Sequence, residues 1–120
     1  MAKENVERIT CKTLAGFIEK ATPVQIVDIR NDEDYGKSDK IIPGAIRATF
    51  DTLDEVMGKL NKNIEVVTYC SSPEEASSSD AADKMLHDGF TKARALKGGF
   101  NAWEEQSYPA EIKQEVSAGR

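Results

Sequence analysis

The stretch Ile64-Glu65-Val66-Val67-Thr68-Tyr69-Cys70-Ser71-Ser72-Pro73-Glu74-Glu75-Ala76-Ser77-Ser78-Ser79-Asp80 decides how the chain folds. It opens as a short apolar, β-branched run, the pattern of a buried strand. It closes in a Ser/Asp cluster that leads into Ala81-Ala82-Asp83-Lys84-Met85-Leu86, where a helix is expected from about Ser78. Cys70 falls where the strand gives way to the loop. Open α/β sheets bind their ligands there, outside the carboxyl ends of the strands. A thiol at such a junction faces the positive end of the following helix, which favours the nucleophilic thiolate. On these residues alone, a reactive cysteine and a free cysteine packed as a small hydrophobe are equally good readings.

Upstream, Leu53, Val56, Met57 and Leu60 make an apolar stripe at helical spacing, and Thr52-Leu53-Asp54-Glu55 reads as a capping box, so 52–60 is expected to be a helix. Ala45-Ile46-Arg47-Ala48-Thr49-Phe50 is a strand candidate, reached through a Pro43-Gly44 turn. The polar segment 31–40 reads as a loop with one helical turn around 32–35. Val24-Gln25-Ile26-Val27-Asp28-Ile29-Arg30 is a second buried strand. Asp28 and Arg30 share a face at its end by the period of two. They could hold a neighbouring loop, or form a surface ion pair of little value. Thr10 caps a helix over 10–20 whose apolar face includes Cys11, Leu14, Phe17 and Ile18, so Cys11 is expected in the core.

Downstream, Gly89 is placed to end the helix begun at Ser78, with Phe90 docking behind it. His87, the only histidine, belongs to that helix's last turn and reads as a surface residue. A weak strand is expected over 91–96. Gly98-Gly99 then permits a tight turn or a close backbone approach. A short helix starts at Phe100 and ends by Pro109. The pattern divides into a leader (1–8), a single domain (9–109) and a polar tail (110–120), helical in part.

Composition narrows the function. A chain of 120 residues can bury a core of its own. Its net charge of −5 argues against a nucleic-acid surface and against a polybasic membrane contact. The N-terminus is charged without an apolar run behind it, unlike a signal peptide, so a reducing cytoplasmic setting is expected. Two cysteines and one histidine make neither a disulfide framework nor a metal site.

Four blocks together resemble the rhodanese-like domain family: Val27-Asp28-Ile29-Arg30 with Asp34-Tyr35; Ile42-Pro43-Gly44-Ala45-Ile46; Tyr69-Cys70 with Ala81-Ala82 and Gly89-Phe90; and Leu96-Lys97-Gly98-Gly99-Phe100-Asn101-Ala102-Trp103 with Pro109. The resemblance implies an α/β fold, a small, mainly parallel five-stranded sheet with helices on both faces. It implies that Cys70 carries sulfur as a persulfide, cradled by backbone amides of the loop Ser71, Ser72, Pro73, Glu74, Glu75, Ala76, with Asp28 and Arg30 supporting the wall. It implies no metal and no organic cofactor. The partners would be a small sulfur donor or persulfide-bearing protein, and a thiophilic acceptor.

The departures bear on substrate. The family's loop usually carries glycine and often a cation after the cysteine, and this one has neither. Pro73 removes one amide. Glu74 and Glu75 add negative charge beside a site for an anion. At a separation of about 5 Å and an effective dielectric of about 20, one such charge costs on the order of 3 kcal/mol before screening. Thiosulfate, a dianion, is therefore expected to be a weak donor, behind polysulfide or a protein persulfide. The lengthened loop also resembles that of the related phosphatases, but Ala76 stands where their phosphate-binding arginine would be. Two other readings use the same residues: a non-catalytic interaction module whose acidic loop docks a basic partner, and a thiol redox sensor at Cys70.

Overall fold

The computed structural model describes residues 6–71 and 76–113. The run around Val66 forms the middle strand of a sheet. In chain order the elements are β1 (Arg8–Ile9), α1 (Cys11–Glu19), β2 (Gln25–Asp28), α2 (Asp32–Lys37), β3 (Lys40–Ile41), β4 (Ile46–Arg47), α3 (Leu53–Gly58), β5 (Val66–Tyr69), α4 (Ala76–His87), β6 (Ala93–Leu96), α5 (Gly99–Glu105) and β7 (Glu111–Ile112). Strands β1, β6, β5, β2 and β4 lie side by side in that order, and every neighbouring pair is parallel. The α/β fold with a five-stranded parallel sheet is the one expected.

A parallel sheet needs cover on both faces, and alternation along β5 provides for it. Val66 and Cys70 pack with Leu53 and Met57 of α3 and Ala81, Ala82 and Met85 of α4. Val67 and Tyr69 pack on the opposite face with Leu14 of α1 and Phe100 and Trp103 of α5. Cys11 is a core residue of that second layer.

Local signals set the helix ends. The Thr10 hydroxyl caps α1 by accepting from the Thr13 amide at 3.1 Å. Asn31 caps α2 by accepting from the Asp34 amide at 2.7 Å, and Asp32, Glu33 and Asp34 in its first turn suit the helix dipole. That helix is longer than the single turn expected. Gly89, at φ +100°, ends the helix before it, and the Phe90 amide returns to the Met85 carbonyl at 3.0 Å. In the Pro43-Gly44 turn, Gly44 takes φ +80° and the Ala45 amide reaches the Ile42 carbonyl at 3.0 Å.

Three expectations are corrected. Thr52 does not cap α3; its hydroxyl accepts from the Thr49 amide at 2.9 Å, so the local Thr49–Thr52 turn takes the oxygen that a capping box would use. Helix α4 begins at Ala76, not near Ser78. In the tail, Glu111–Ile112 is not helical; it pairs antiparallel with Lys40–Ile41. Lys113 fastens this strand by donating from Nζ to the Tyr35 carbonyl at 2.7 Å.

Candidate active site

The order of strands places the site. From β2 the chain moves outward to β4, then crosses back to β5 on the other side of β2 and continues to β6. The order reverses between β2 and β5, the place where open α/β sheets leave a crevice. Residues 28–30 and 69–71 therefore emerge side by side, with Asp28 in register with Tyr69 and the Ile29 amide bonded to the Tyr69 carbonyl at 2.8 Å.

Cys70 leaves β5 on the α3–α4 face and is buried. Its Sγ lies 3.5 Å from the Ser78 Oγ, in the first turns of α4, a contact in which the thiol donates. Thr68, two residues back and on the same face, donates from its hydroxyl to the Ser78 carbonyl at 2.7 Å. This holds the start of α4 against the strand that delivers the thiol. Of the expected loop, Ser71 follows the strand and Ala76 opens α4. Ser72, Pro73, Glu74 and Glu75, with the amide cradle expected of them, lie outside the described residues.

Asp28 and Arg30 do not meet Cys70. They project to the opposite face, and they form a buried pair rather than the surface pair that the sequence left open. Arg30 donates from Nη2 to Asp28 Oδ2 at 2.6 Å and from Nε to Oδ1 at 3.1 Å, and its own amide donates to Oδ1 at 3.0 Å. The Tyr69 hydroxyl donates to Asp28 Oδ2 at 2.8 Å and accepts from the Ile42 amide at 3.2 Å. Arg47 reaches in from β4, donating to the Arg30 carbonyl and to Asp32 Oδ1. Burial works against the charged Arg30, but the hydrogen bond and charge of Asp28 raise its pKa above the ordinary guanidinium value. Burial, reinforced by the Asp28 charge, pushes the Tyr69 phenol well above the usual tyrosine range.

Helix α5 joins the two faces. Gly98 and Gly99 take φ +82° and +66°, and a Cβ on Gly99 would stand 2.6 Å from the Cys70 carbonyl oxygen. This is the close approach expected of the pair. It lets the Phe100 amide bond the Cys70 carbonyl at 2.7 Å and the Asn101 amide bond the Ser71 carbonyl at 3.2 Å. The Phe100 ring then lies 4.4 Å from the Arg30 guanidinium. Sequence reasoning gave no site role to Ser78, Tyr69 or Asn101. The available signals were the serine cluster after Cys70 and the tyrosine one residue before it.

Beside Ser71 a recess of about 320 Å³ opens between α2 and α5, lined by Arg30, Asp34, Lys37, Ser38, Ser71, Phe100, Asn101 and Glu104. No helix among the described residues is long and apolar enough to cross a membrane.

Comparison with known proteins agrees with this architecture. A family model for the rhodanese-like domain matches residues 10–106. The thiosulfate sulfurtransferase GlpE of Shewanella oneidensis is 33% identical over 86 residues, 72% of this chain and 81% of that one. The structure of a rhodanese-like domain protein from Staphylococcus aureus matches with a TM-score of 0.73 at 29% identity, over 90% of this chain and 99% of that one. A protein of unknown function from Rhodopseudomonas palustris, named as a possible tyrosine phosphatase, matches with a TM-score of 0.76 at 25% identity, over 92% and 88% of the two chains.

Proposed function

The chain belongs to the rhodanese-like domain family, and from that premise we propose that it is a sulfurtransferase carrying sulfane sulfur as a persulfide on Cys70. The observation that carries the reading is the position of Cys70. It stands at the carboxyl end of the central strand, at the reversal of strand order, with Sγ against the Ser78 hydroxyl.

The transfer runs in two displacements. The Cys70 thiolate attacks the outer sulfur of a donor R–S–SH; the Cys70–sulfur bond forms, the donor S–S bond breaks, and R–S⁻ leaves. An acceptor thiolate then attacks the outer sulfur of the Cys70 persulfide, takes it as R′–S–SH and returns Cys70 to the thiolate. There is no net oxidation, and no metal or organic cofactor enters. Ser78 serves as a hydroxyl donor to the thiolate. Asp28 and Arg30 act at one remove, by fixing Tyr69 and Phe100, and are positioning residues. A reducing cytoplasmic setting suits both thiol partners.

The donor preference is for polysulfide or a protein persulfide over thiosulfate, because Glu74 and Glu75 stand in the loop after Cys70 without a compensating cation. Intact-protein mass after brief exposure to polysulfide, and separately to thiosulfate, tests both levels. The expected result is a one-sulfur gain from polysulfide on wild type, reversed by cyanide and missing in Cys70→Ala. Faster loading from thiosulfate would overturn the preference. No loading from either donor would overturn the activity and leave the interaction module.

A further inference from the structure

One residue of α4 is tied to β5 at two successive positions of the same face. The Ser78 carbonyl accepts from the Thr68 hydroxyl at 2.7 Å, and the Ser78 Oγ stands 3.5 Å from Cys70 Sγ. We propose that Thr68 is a positioning residue for sulfur transfer: its hydroxyl fixes where the Ser78 hydroxyl stands, and so how well that hydroxyl serves the Cys70 thiolate. This inference rests on the sulfurtransferase reading and concerns the same site. Thr68 acts through Ser78, not on the sulfur.

Alternation along the strand sets the arrangement. Thr68 and Cys70 are two residues apart, so both point to the α3–α4 face, about 7 Å from each other. Thr68 and Ser78 are fully buried. A hydroxyl in such a place is costly unless it is paired. The other residues of β5 are Val66, Val67 and Tyr69, and valine would suit position 68 of a buried strand equally well. What threonine adds is the bond to the Ser78 carbonyl.

Apolar packing leaves this register loose. Helix α4 meets the core through Ala81 and Ala82, whose small side chains key into no single position, and through Met85, whose thioether chain adapts. A helix seated on alanines slides or turns at little cost. Two contacts from one residue to two points on a strand oppose both motions.

The sulfur is what needs the precision. The Ser78 hydroxyl accepts from the neutral thiol and donates to the thiolate. The step it serves is the first displacement: Cys70–S⁻ with R–S–SH gives Cys70–S–SH and R–S⁻. A hydrogen bond to a charged group is stronger than a neutral one, and it weakens steeply as its geometry degrades. A small drift of α4 therefore costs rate without unfolding the chain.

The test is a double-mutant cycle read by single-turnover loading from polysulfide. Thr68→Val removes the hydroxyl and keeps the side chain's size. It should slow loading by roughly threefold or more, up to about the tenfold value of one hydrogen bond to a charged group. Thr68→Ser retains the hydroxyl and should load within about twofold of wild type. In a Ser78→Ala background, Thr68→Val should have no further effect, because the group it positions is gone. A merely loosened fold would slow both backgrounds alike. Wild-type loading by Thr68→Val, equal slowing in both backgrounds, or Thr68→Ser as slow as Thr68→Val would each overturn the proposal. Thr68→Ala is a second route to the same cycle; if neither variant folds, the bond is structural and the proposal fails. Alkylation of Cys70 by iodoacetamide at neutral pH, read on the peptide that carries it, runs the same cycle without sulfur transfer. Wild type that takes up no sulfur overturns the activity alone, whereas additive effects in alkylation overturn the positioning role.

Discussion

The Phe100 amide donates to the Cys70 carbonyl across 2.7 Å. Because the Phe100 ring also lies 4.4 Å from the Arg30 guanidinium, one residue links the strand end that presents the thiol to the buried ion pair on the other face of the sheet. The contact requires the left-handed Gly99 before it, which lets the backbone of α5 come so near.

Substituting that glycine should therefore be costly, and substituting another should not. Gly99→Ala places a methyl 2.6 Å from the Cys70 carbonyl oxygen at φ +66°, so the backbone must shift as well as strain. A loss of about 2 kcal/mol or more is expected in urea unfolding, with slower sulfur loading. In α1, Gly16 takes an ordinary helical conformation and nothing lies within 4 Å of an added Cβ. Gly16→Ala should stabilise by about 0.5–1 kcal/mol. A milder effect at Gly99 than at Gly16 would contradict the close approach.

Asp28 accepts from the Arg30 amide and guanidinium and from the Tyr69 hydroxyl, so neither charge of the pair is left unmet. Asp28→Asn keeps the shape but strands a buried guanidinium, and a loss of roughly 3–5 kcal/mol is expected. Arg30→Met leaves the carboxylate its bonds from the residue-30 amide and the Tyr69 hydroxyl and the Arg47 guanidinium at 3.5 Å, and should cost less. The double substitution should cost much less than the two losses added together, and additive losses in denaturant melts would refute the coupling.

The parts of this architecture that follow from local rules were legible. The apolar run ending at Cys70, the stripe Leu53, Val56, Met57, Leu60 and the Pro43-Gly44 turn each depend on residues close in sequence, and each forms, although α3 ends at Gly58 and Leu60 packs on the core from the turn beyond it. The burial of Asp28 and Arg30 was not legible. Period two puts them on one face, but only the register of Asp28 against Tyr69 and the arrival of Arg47 from β4 close that face over. The strand Glu111–Ile112 was missed for the same reason: two residues have no periodicity, and their partner lies about seventy positions earlier, in Lys40–Ile41. At Thr52 two local motifs compete for one hydroxyl, and the turn with Thr49 prevails.

Tyr69 makes stability depend on alkaline pH. Its folded-state pKa is raised above the ordinary value of 10, first by burial and then by the Asp28 carboxylate. The unfolded phenol ionises near pH 10 while the folded one stays protonated, so this contribution is complete below pH 10 and is lost as pH rises beyond it. The added slope is about 1.4 kcal/mol per pH unit. Tyr69→Phe should cost about 1–3 kcal/mol at neutral pH, because the Ile42 amide loses its acceptor and Asp28 a donor. The same variant should lose less stability than wild type between pH 10 and higher pH. Parallel pH curves from urea unfolding would show that the phenol does not gate it.

The last prediction concerns the thiol itself. Ser78 is fully buried, its carbonyl is held by Thr68, and its Oγ stands 3.5 Å from Cys70 Sγ. Ser78→Ala leaves the Thr68 bond to the backbone in place and removes the hydroxyl alone. If that hydroxyl serves the sulfur during attack, loading from polysulfide should slow by roughly tenfold, the value of one hydrogen bond to a charged group. The fold should lose only about 1 kcal/mol. The comparison is between single-turnover loading and urea unfolding of the same preparation. A variant that loads at the wild-type rate would make Ser78 a packing residue.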